Sequence, residues 1–441
     1  MGIKQTSRDE SEPNLSPSLS GTNQAMWVVW WTYGAFYFCR TNISAAVPGL
    51  LDSVENGGLR FTTSQVGFIL GSTKIAYAAG QLINGQLSEH LSPRRMLAIG
   101  MLGTAALNVL FGMGTAFYFL IFIWACNGYS QSLGWTPCVR VLANWFPIAG
   151  RGRVIGLVGT GYQVTASLTF ALSGWAADSF GWRGALFVPA GLMLASAIVM
   201  FFFLEETPQG RVDGIPDVSA KPKRAGRPFT EVLLLTFSNR SLWLLGISLG
   251  LLNACRYGFI DWGVTHLTAV QETGVGKAAL KYAVLPVGAI AGSYLAGWAT
   301  DRFFGSRRAP VTCILLLLLA ALTLMYDAVA RISVPGTMFL LLLIGFCIYG
   351  PQVLLVGTAP ADLAKKGTSA AAAGFVNCMG YVGAATGDVF TARMLGDTYD
   401  WQRTIYLWAA WAVGAAIAAG LLWNATSPDA STTETVEPGD E

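Results

Sequence analysis

YFCRTN at residues 37–42 and NACRYG at residues 253–258 place a Cys-Arg pair near the middle of two long apolar stretches. The two arginines, Arg40 and Arg256, lie 216 residues apart (256 − 40), close to half of the 441-residue chain. An arginine at the centre of a bilayer costs roughly 3 kcal/mol on insertion scales. Because each half of the chain carries one, we expect both guanidinium groups to face an anion buried inside a membrane protein.

The composition also indicates a membrane protein. Hydrophobic residues make up 53% of the chain and charged residues only 12%, whereas soluble proteins carry about 25% charged residues. The 7 cysteines fall within apolar segments without metal-ligand spacing, so we expect neither a disulfide framework nor a metal site. The chain shows no P-loop and no nucleophile motif. We therefore expect no enzyme activity, no cofactor and no nucleic-acid partner, but a small anionic substrate and the lipid bilayer.

Twelve apolar segments are each close to the ~20 residues that cross a bilayer. They form an N-terminal bundle at 25–204 and a C-terminal bundle at 241–424, separated by a polar central loop at 205–240. Polar tails at 1–24 and 425–441 are expected to be disordered. The predicted fold is all-α, with twelve transmembrane helices in two six-helix bundles. The segments are 25–47, 64–89, 95–113, 117–144, 153–177, 183–204, 241–270, 277–300, 309–328, 335–358, 368–393 and 401–424.

The two halves repeat one another. Gly85 and Gly297 are 212 residues apart, the stretches 156–164 (GLVGTGYQV) and 374–382 (GFVNCMGYV) begin 218 apart, and Trp182 and Trp401 are 219 apart. Such nearly constant offsets indicate a parallel duplication about an axis along the membrane normal. Basic residues concentrate in one set of loops, which predicts cytoplasmic termini. The absence of a targeting signal favours a bacterial inner membrane, and we expect the protein to be a monomer.

Two loops carry a shared pattern: GQLSEHLSPRR at 85–95 and GWATDRFFGSRR at 297–308. With the six-plus-six layout, these loops resemble those of the major facilitator superfamily. A carboxylate at a helix end that faces arginines can form charge-assisted bonds that close one side of the protein. The predicted gating residues are Glu89, Arg94, Arg95, Asp301 and Arg302.

Three cations are expected near the membrane centre. At 1.5 Å per residue, Arg40 lies about 21 Å from the cytoplasmic end of its segment, and Arg256 and Lys74 about 22 Å. Asp261 and Asp388 are predicted to lie further toward the outer side. Lys74 would then either join the arginines or pair with Asp388. Two guanidinium groups suit a tetrahedral oxyanion, because it offers several acceptor oxygens, whereas a carboxylate usually needs only one guanidinium group.

Longer motifs sharpen the resemblance. FCRTNISAAVPGL at 38–50, GWTPCVRVLANWF at 134–146, EETPQ at 205–209 and ACRYGFIDWGVTHL at 254–267 are similar to the organophosphate:phosphate antiporter family. This family includes glycerol-3-phosphate and hexose-phosphate carriers. The resemblance implies that Arg40 and Arg256 clamp the phosphate, and that a phosphate ester exchanges for inorganic phosphate by alternating access.

The resemblance is incomplete at two positions. Gln81 and Tyr162 stand where the glycerol-phosphate carrier has a lysine and a histidine. Lys74, two turns before Gln81 and on roughly the same face, is a candidate replacement for that charge. Further candidates to contact the organic part of the substrate are Tyr37, Tyr162, Gln163, Asn377 and Tyr381.

Two alternatives remain open from the sequence. One is a proton- or sodium-coupled carrier of another organic anion, such as a sugar acid, with Asp388 or Asp261 as the coupling group. The other is a membrane sensor of a phosphate ester that resembles a carrier.

Overall fold

The computed structural model describes residues 19–88, 91–146, 148–208, 229–365, 368–396 and 398–425. Within these ranges the secondary structure is helical and no strand is formed. Most of the predicted tails, most of the predicted central loop and the gating candidate Glu89 lie outside the described residues.

The first half contains eight α-helices with one break inside its first span. Apolar segments and loop residues such as Ser92, which caps α4 through the backbone N–H of Arg95, set the helix ends. The helices are α1 Leu19–Ala35, α2 Ile43–Leu51, α3 Thr63–Leu87, α4 Pro93–Met113, α5 Phe117–Gln131, α6 Trp135–Trp145, α7 Ile148–Phe180 and α8 Gly184–Phe203. A 3₁₀ turn, Phe36–Cys39, lies between α1 and α2.

The second half repeats this order after a short helix in the predicted central loop. Two π-helical turns, Gly258–Trp262 and Leu354–Thr358, interrupt its spans. The helices are α9 Phe229–Phe237, α10 Arg240–Tyr257, α11 Gly263–Val270, α12 Val275–Tyr282, α13 Val284–Phe303, α14 Arg308–Ile332, α15 Val334–Val353, α16 Ala359–Leu363, α17 Ser369–Leu395 and α18 Trp401–Gly420.

Each of the twelve predicted segments coincides with one helix or with two consecutive helices, so the predicted all-α fold is confirmed. Helix α1 starts at Leu19, inside the predicted tail. Eight spans of the described chain are long and apolar enough to cross a membrane by length and composition.

The same helix pairs form in both halves. In the first half α3 packs on α5, α4 on α8 and α1 on α7. In the second half α13 packs on α15, α14 on α18 and α10 on α17. These are equivalent pairs in the duplicated order. Between the halves, α3 packs on α17, and α7 packs on α12 and α13.

Small residues bring the halves together at one end of these helices. A Cβ added to Gly67 of α3 would lie 2.5 Å from the Cβ of Ala392 of α17. A Cβ added to Gly174 of α7 would lie 2.5 Å from the Cβ of Ala279 of α12. Helix backbones can approach this closely only where side chains are small. We call this end, where α3 begins and α17 ends, the sealed side.

The same helix faces are apart at the other end. Eighteen residues make five turns of an α-helix, so Gly85 lies on the face of Gly67, and Gly156 on the face of Gly174. Gly374 likewise lies on the face of Ala392. Among the described residues, a Cβ added to Gly85, Gly156 or Gly374 would meet no atom within 4 Å. The interface therefore opens toward the end where α3 finishes at Leu87, which we call the open side.

Candidate functional site

Arg40 lies at the break between α1 and α2. The 3₁₀ turn Phe36–Cys39 ends α1, and the break leaves the carbonyl of Cys39 without a helical partner. The side chain of Gln131, at the end of α5, donates to this carbonyl through Nε2 at 2.7 Å. Its Oε1 accepts from Nε of Arg40. Gln131 thus fixes both the helix break and the direction of the guanidinium group.

Aromatic rings hold the Arg40 guanidinium. Its Cζ lies 4.7 Å from the ring centroid of Tyr37 and 4.6 Å from that of Tyr77, distances suited to cation–π attraction. Nη1 also donates to the hydroxyl of Tyr37 at 3.3 Å. Nη2 is buried and has no hydrogen-bond partner among the described residues.

Arg256 has an equivalent setting in the second half. It lies in the last turn of α10, before the π-helical turn Gly258–Trp262. Its Cζ lies 4.8 Å from the ring centroid of Tyr257 and 4.7 Å from that of Tyr349. Nη2 donates to the hydroxyl of Tyr349 at 3.0 Å, while the buried Nε has no partner in the described chain.

Both arginines line one cavity between the halves. Its other polar and aromatic lining residues are Tyr37, Thr41, Thr73, Lys74, Tyr77, Trp124, Gln131, Tyr257, Asp261 and Tyr381. Within the described residues, no ion pair joins Arg40 or Arg256 to a carboxylate. Each guanidinium is charged and has a buried nitrogen without a hydrogen-bond partner in the described chain, which is the chemistry of an anion site.

Lys74 lines the same cavity but already has carboxylate partners. Its Nζ forms an ion pair with Asp261 and lies 2.6 Å from Oδ2 of Asp388. Both carboxylates contact Lys74, although the sequence predicted that they lie further toward the outer side. Depths calculated at 1.5 Å per residue hold only for straight helices, whereas Asp261 lies inside a π-helical turn. The long side chain of Lys74 also extends to both carboxylates. We call these three residues the Lys74 cluster.

The other substrate-binding candidates lie at different distances from the cavity. Tyr381 lines it and contacts the ring of Tyr77 at 4.6 Å. Tyr162 stacks on Tyr37 at 4.8 Å and accepts a hydrogen bond from Gln163 at 3.0 Å. Gln81 and Asn377 do not line the cavity. Gln81 donates to the hydroxyl of Tyr77 at 2.7 Å, and Asn377 is half-buried.

Among the residues that contact the two arginines, Tyr77, Gln131 and Tyr349 were not sequence candidates. Tyr77 is one helical turn from Lys74, so helical spacing could have found it. Gln131 and Tyr349 lie on α5 and α15, far in sequence from the arginines that they contact. No local pattern identifies such partners.

The gating candidates make contacts within each half. Asp301 pairs with Arg308 at 2.9 Å, and Arg308 also contacts Asp362 at 3.3 Å. The neighbouring Arg302 is exposed and forms no ion pair among the described residues. The partner of Asp301 is therefore the arginine seven residues later.

In the first half, the side chain of Arg94 donates to the carbonyl of Leu204, and its backbone N–H donates to Glu206 at 3.1 Å. Arg95 donates through its backbone N–H to Ser92 at 3.3 Å. These bonds tie the end of α8 to the start of α4.

Two repeated bundles with a basic cavity between them define a multi-pass membrane protein of the transporter type. The family model of the major facilitator superfamily matches residues 29–387 and 273–439. The chain belongs to the major facilitator superfamily.

Several curated proteins are similar over most of their length. The chain is 28% identical over 417 residues to a probable hexose phosphate transport protein of Chlamydia trachomatis, covering 89% of each chain. It is 29% identical over 416 residues to a glycerol-3-phosphate transporter of Bacillus subtilis, covering 89% of this chain and 90% of the relative. It is 28% identical over 387 residues to the membrane sensor protein UhpC of Escherichia coli, covering 85% and 86%.

Solved structures show the same fold. A bacterial homologue of the human lysosomal transporter Spinster, in an inward-facing and unoccupied conformation, superposes with a TM-score of 0.73 at 16% identity. The match covers 92% of this chain and 97% of that chain.

Proposed function

We propose that this protein exchanges an organic phosphate ester, of the glycerol-phosphate or sugar-phosphate type, for inorganic phosphate. The observation that carries the proposal is the shared cavity of Arg40 and Arg256, one from each half and neither paired with a carboxylate of the described chain. A phosphoryl group offers three acceptor oxygens and close to two negative charges. The similarity to hexose phosphate and glycerol-3-phosphate transporters supports the same substrate class.

The charges of the empty site favour exchange over one-way transport. Arg40, Arg256 and Lys74 supply three positive charges, and Asp261 and Asp388 supply two negative charges. Closing the halves over an uncompensated charge is costly in a medium of low dielectric constant. Anion binding lowers this cost, so the loaded site crosses the membrane more readily than the empty one.

The open side faces the cytoplasm in this proposal, in agreement with the basic loops there. The protein works as a monomer in a bacterial inner membrane with both termini in the cytoplasm. The two bundles then rock about the cavity, so that the open side closes while the sealed side opens.

Cross-linking measures this movement. In a background without the native cysteines, Gly85→Cys with Gly374→Cys should form few disulfides in the open state, because the two faces are apart there. Phosphate ester should increase the yield severalfold. For the control pair Gly67→Cys with Ala392→Cys on the sealed side, phosphate ester should lower the disulfide yield. An equal yield with and without substrate for both pairs would contradict rocking.

Counterflow in proteoliposomes tests the exchange itself. Liposomes loaded with inorganic phosphate should accumulate labelled glycerol 3-phosphate or glucose 6-phosphate without an imposed proton or sodium gradient. Liposomes loaded with sulfate or a sugar acid serve as controls. Uptake that requires a cation gradient and does not depend on phosphate inside the liposomes would support the cation-coupled alternative and overturn this proposal.

A sensor is the second candidate, because a relative named as a membrane sensor protein covers 85% of the chain. A sensor would bind phosphate esters at the same arginines but would give no counterflow. Saturable binding by the purified protein, together with no exchange in liposomes, would favour this alternative.

A further inference from the structure

The Lys74 cluster joins the two halves beside the anion site. Lys74 belongs to α3 in the first half, whereas Asp261 and Asp388 belong to the second. The exposed fractions of the three side chains are 7%, 3% and 0%. A structural ion pair needs one acid and one base, but here one ammonium group serves two buried carboxylates.

The geometry shows which carboxylate is less well compensated. Asp261 accepts a hydrogen bond from Nζ of Lys74. Asp388 lies at ion-pair distance from Nζ, yet neither of its oxygens has a hydrogen bond of good geometry within the described residues. A buried carboxylate without such donors is unfavourable unless another charge balances it or it binds a proton.

Arg256 is a cation that can supply that balance, because it lines the same cavity as Lys74 and Asp261. Its Cζ and the Nζ of Lys74 each lie 4.8 Å from the ring centroid of Tyr257. Together Lys74 and Arg256 carry two positive charges, and Asp261 and Asp388 carry two negative charges. The four groups therefore carry no net charge while no anion is bound, and the ring of Tyr257 contacts both cations.

A bound phosphate dianion changes this balance, because Arg256 then compensates the phosphoryl group. With Arg40 included, the cavity changes from one surplus positive charge to one surplus negative charge. The least compensated carboxylate is the group that neutralises this surplus at the lowest cost. We infer that Asp388 takes up one proton when a dianionic phosphate ester binds between Arg40 and Arg256, an inference that rests on the proposed function.

The step is balanced without a further reactant. Solvent supplies the proton, which forms an O–H bond on the carboxylate of Asp388 and leaves with the anion on the other side. Exchange therefore needs no proton gradient, since ester and inorganic phosphate each bring one proton. The titratable groups that act on Asp388 are Lys74 from α3 and Asp261 from the π-helical turn. The cavity that these two residues line also contains Tyr77, Arg256, Tyr257 and Tyr381.

The pH dependence of binding tests this inference. Phosphate monoesters have a second pKa near 6, so glycerol 3-phosphate is mainly the dianion between pH 7 and 8. If one proton binds with it, the Kd of the purified wild-type protein should rise about tenfold over that interval. For Asp388→Asn the change should be less than about twofold. Asp52→Asn, at an exposed carboxylate whose side chain bonds to Ser53 and Asn56 of the same loop, should behave as wild type.

A tenfold change retained by Asp388→Asn would place the proton on the phosphate and overturn the inference. It would leave the proposed function intact, whereas wild-type protein that binds no phosphate ester would refute the proposed function itself. Infrared difference spectra of wild-type protein provide a second measurement if Asp388→Asn does not fold. Addition of glycerol 3-phosphate should produce a protonated-carboxyl band, and its absence would contradict proton uptake.

Discussion

Phosphate exchange by Arg256→Lys is expected to fall about 100-fold or more, although the substituted lysine keeps the positive charge. A hydrogen bond to a charged group contributes about 1.5–3 kcal/mol, and each 1.4 kcal/mol is a factor of ten. The guanidinium of Arg256, which lines the cavity, already contacts the hydroxyl of Tyr349 and the rings of Tyr257 and Tyr349. A lysine ammonium can reproduce neither the planar fork nor this stacking.

The corresponding Arg40→Lys variant should lose exchange to a similar degree, because Gln131, Tyr37 and Tyr77 hold Arg40 in an equivalent way. Initial rates of labelled phosphate exchange in proteoliposomes give the comparison. Arg403→Lys, whose exposed side chain pairs with Asp400 on the sealed side, is the matched control and should retain wild-type exchange. Wild-type rates for either cavity variant would refute the clamp.

Lys74→Met is expected to lower both stability and exchange strongly. Removal of the ammonium leaves Asp261 and Asp388 buried without their shared cation. Breaking a buried pair in this way costs roughly 3–5 kcal/mol. Thermal unfolding of the purified protein in detergent should therefore show a much lower midpoint than for wild type.

The triple variant Lys74→Met, Asp261→Asn, Asp388→Asn should recover most of the lost stability, because it buries no unpaired charge. Its exchange should remain low if the cluster contributes to the cycle. Lys277→Met, at an exposed lysine on the sealed side, is the control and should unfold as wild type does. A Lys74→Met variant as stable as wild type would mean that the cluster carries no buried ionic charge.

The fold could be predicted from the sequence, because the length and composition of the apolar segments and the repeat between the halves can be read directly from it. Matching offsets between the halves also led to Arg40 and Arg256, since a duplicated chain places equivalent residues at one level. The two arginines line one cavity in the structure. Their joint role in binding phosphate stays a prediction.

Other features depend on contacts that a linear pattern does not contain. The helix break before Arg40 and the π-helical turn around Asp261 alter the direction of side chains, and no sequence spacing indicated them. Asp301 pairs with Arg308 at the end of the loop pattern, and the predicted gating residue Arg302 forms no ion pair among the described residues. The open and sealed sides depend on how far apart the two bundles lie, which periodicity does not encode.

A structure of the protein with a bound phosphate ester tests the central claim most directly. We expect oxygens of one phosphoryl group at about 2.7–2.9 Å from nitrogens of both Arg40 and Arg256, the range of charge-assisted hydrogen bonds. The two guanidinium groups should approach each other across the ligand. A phosphoryl group that contacts only one of these arginines, or that binds outside their shared cavity, would contradict the account.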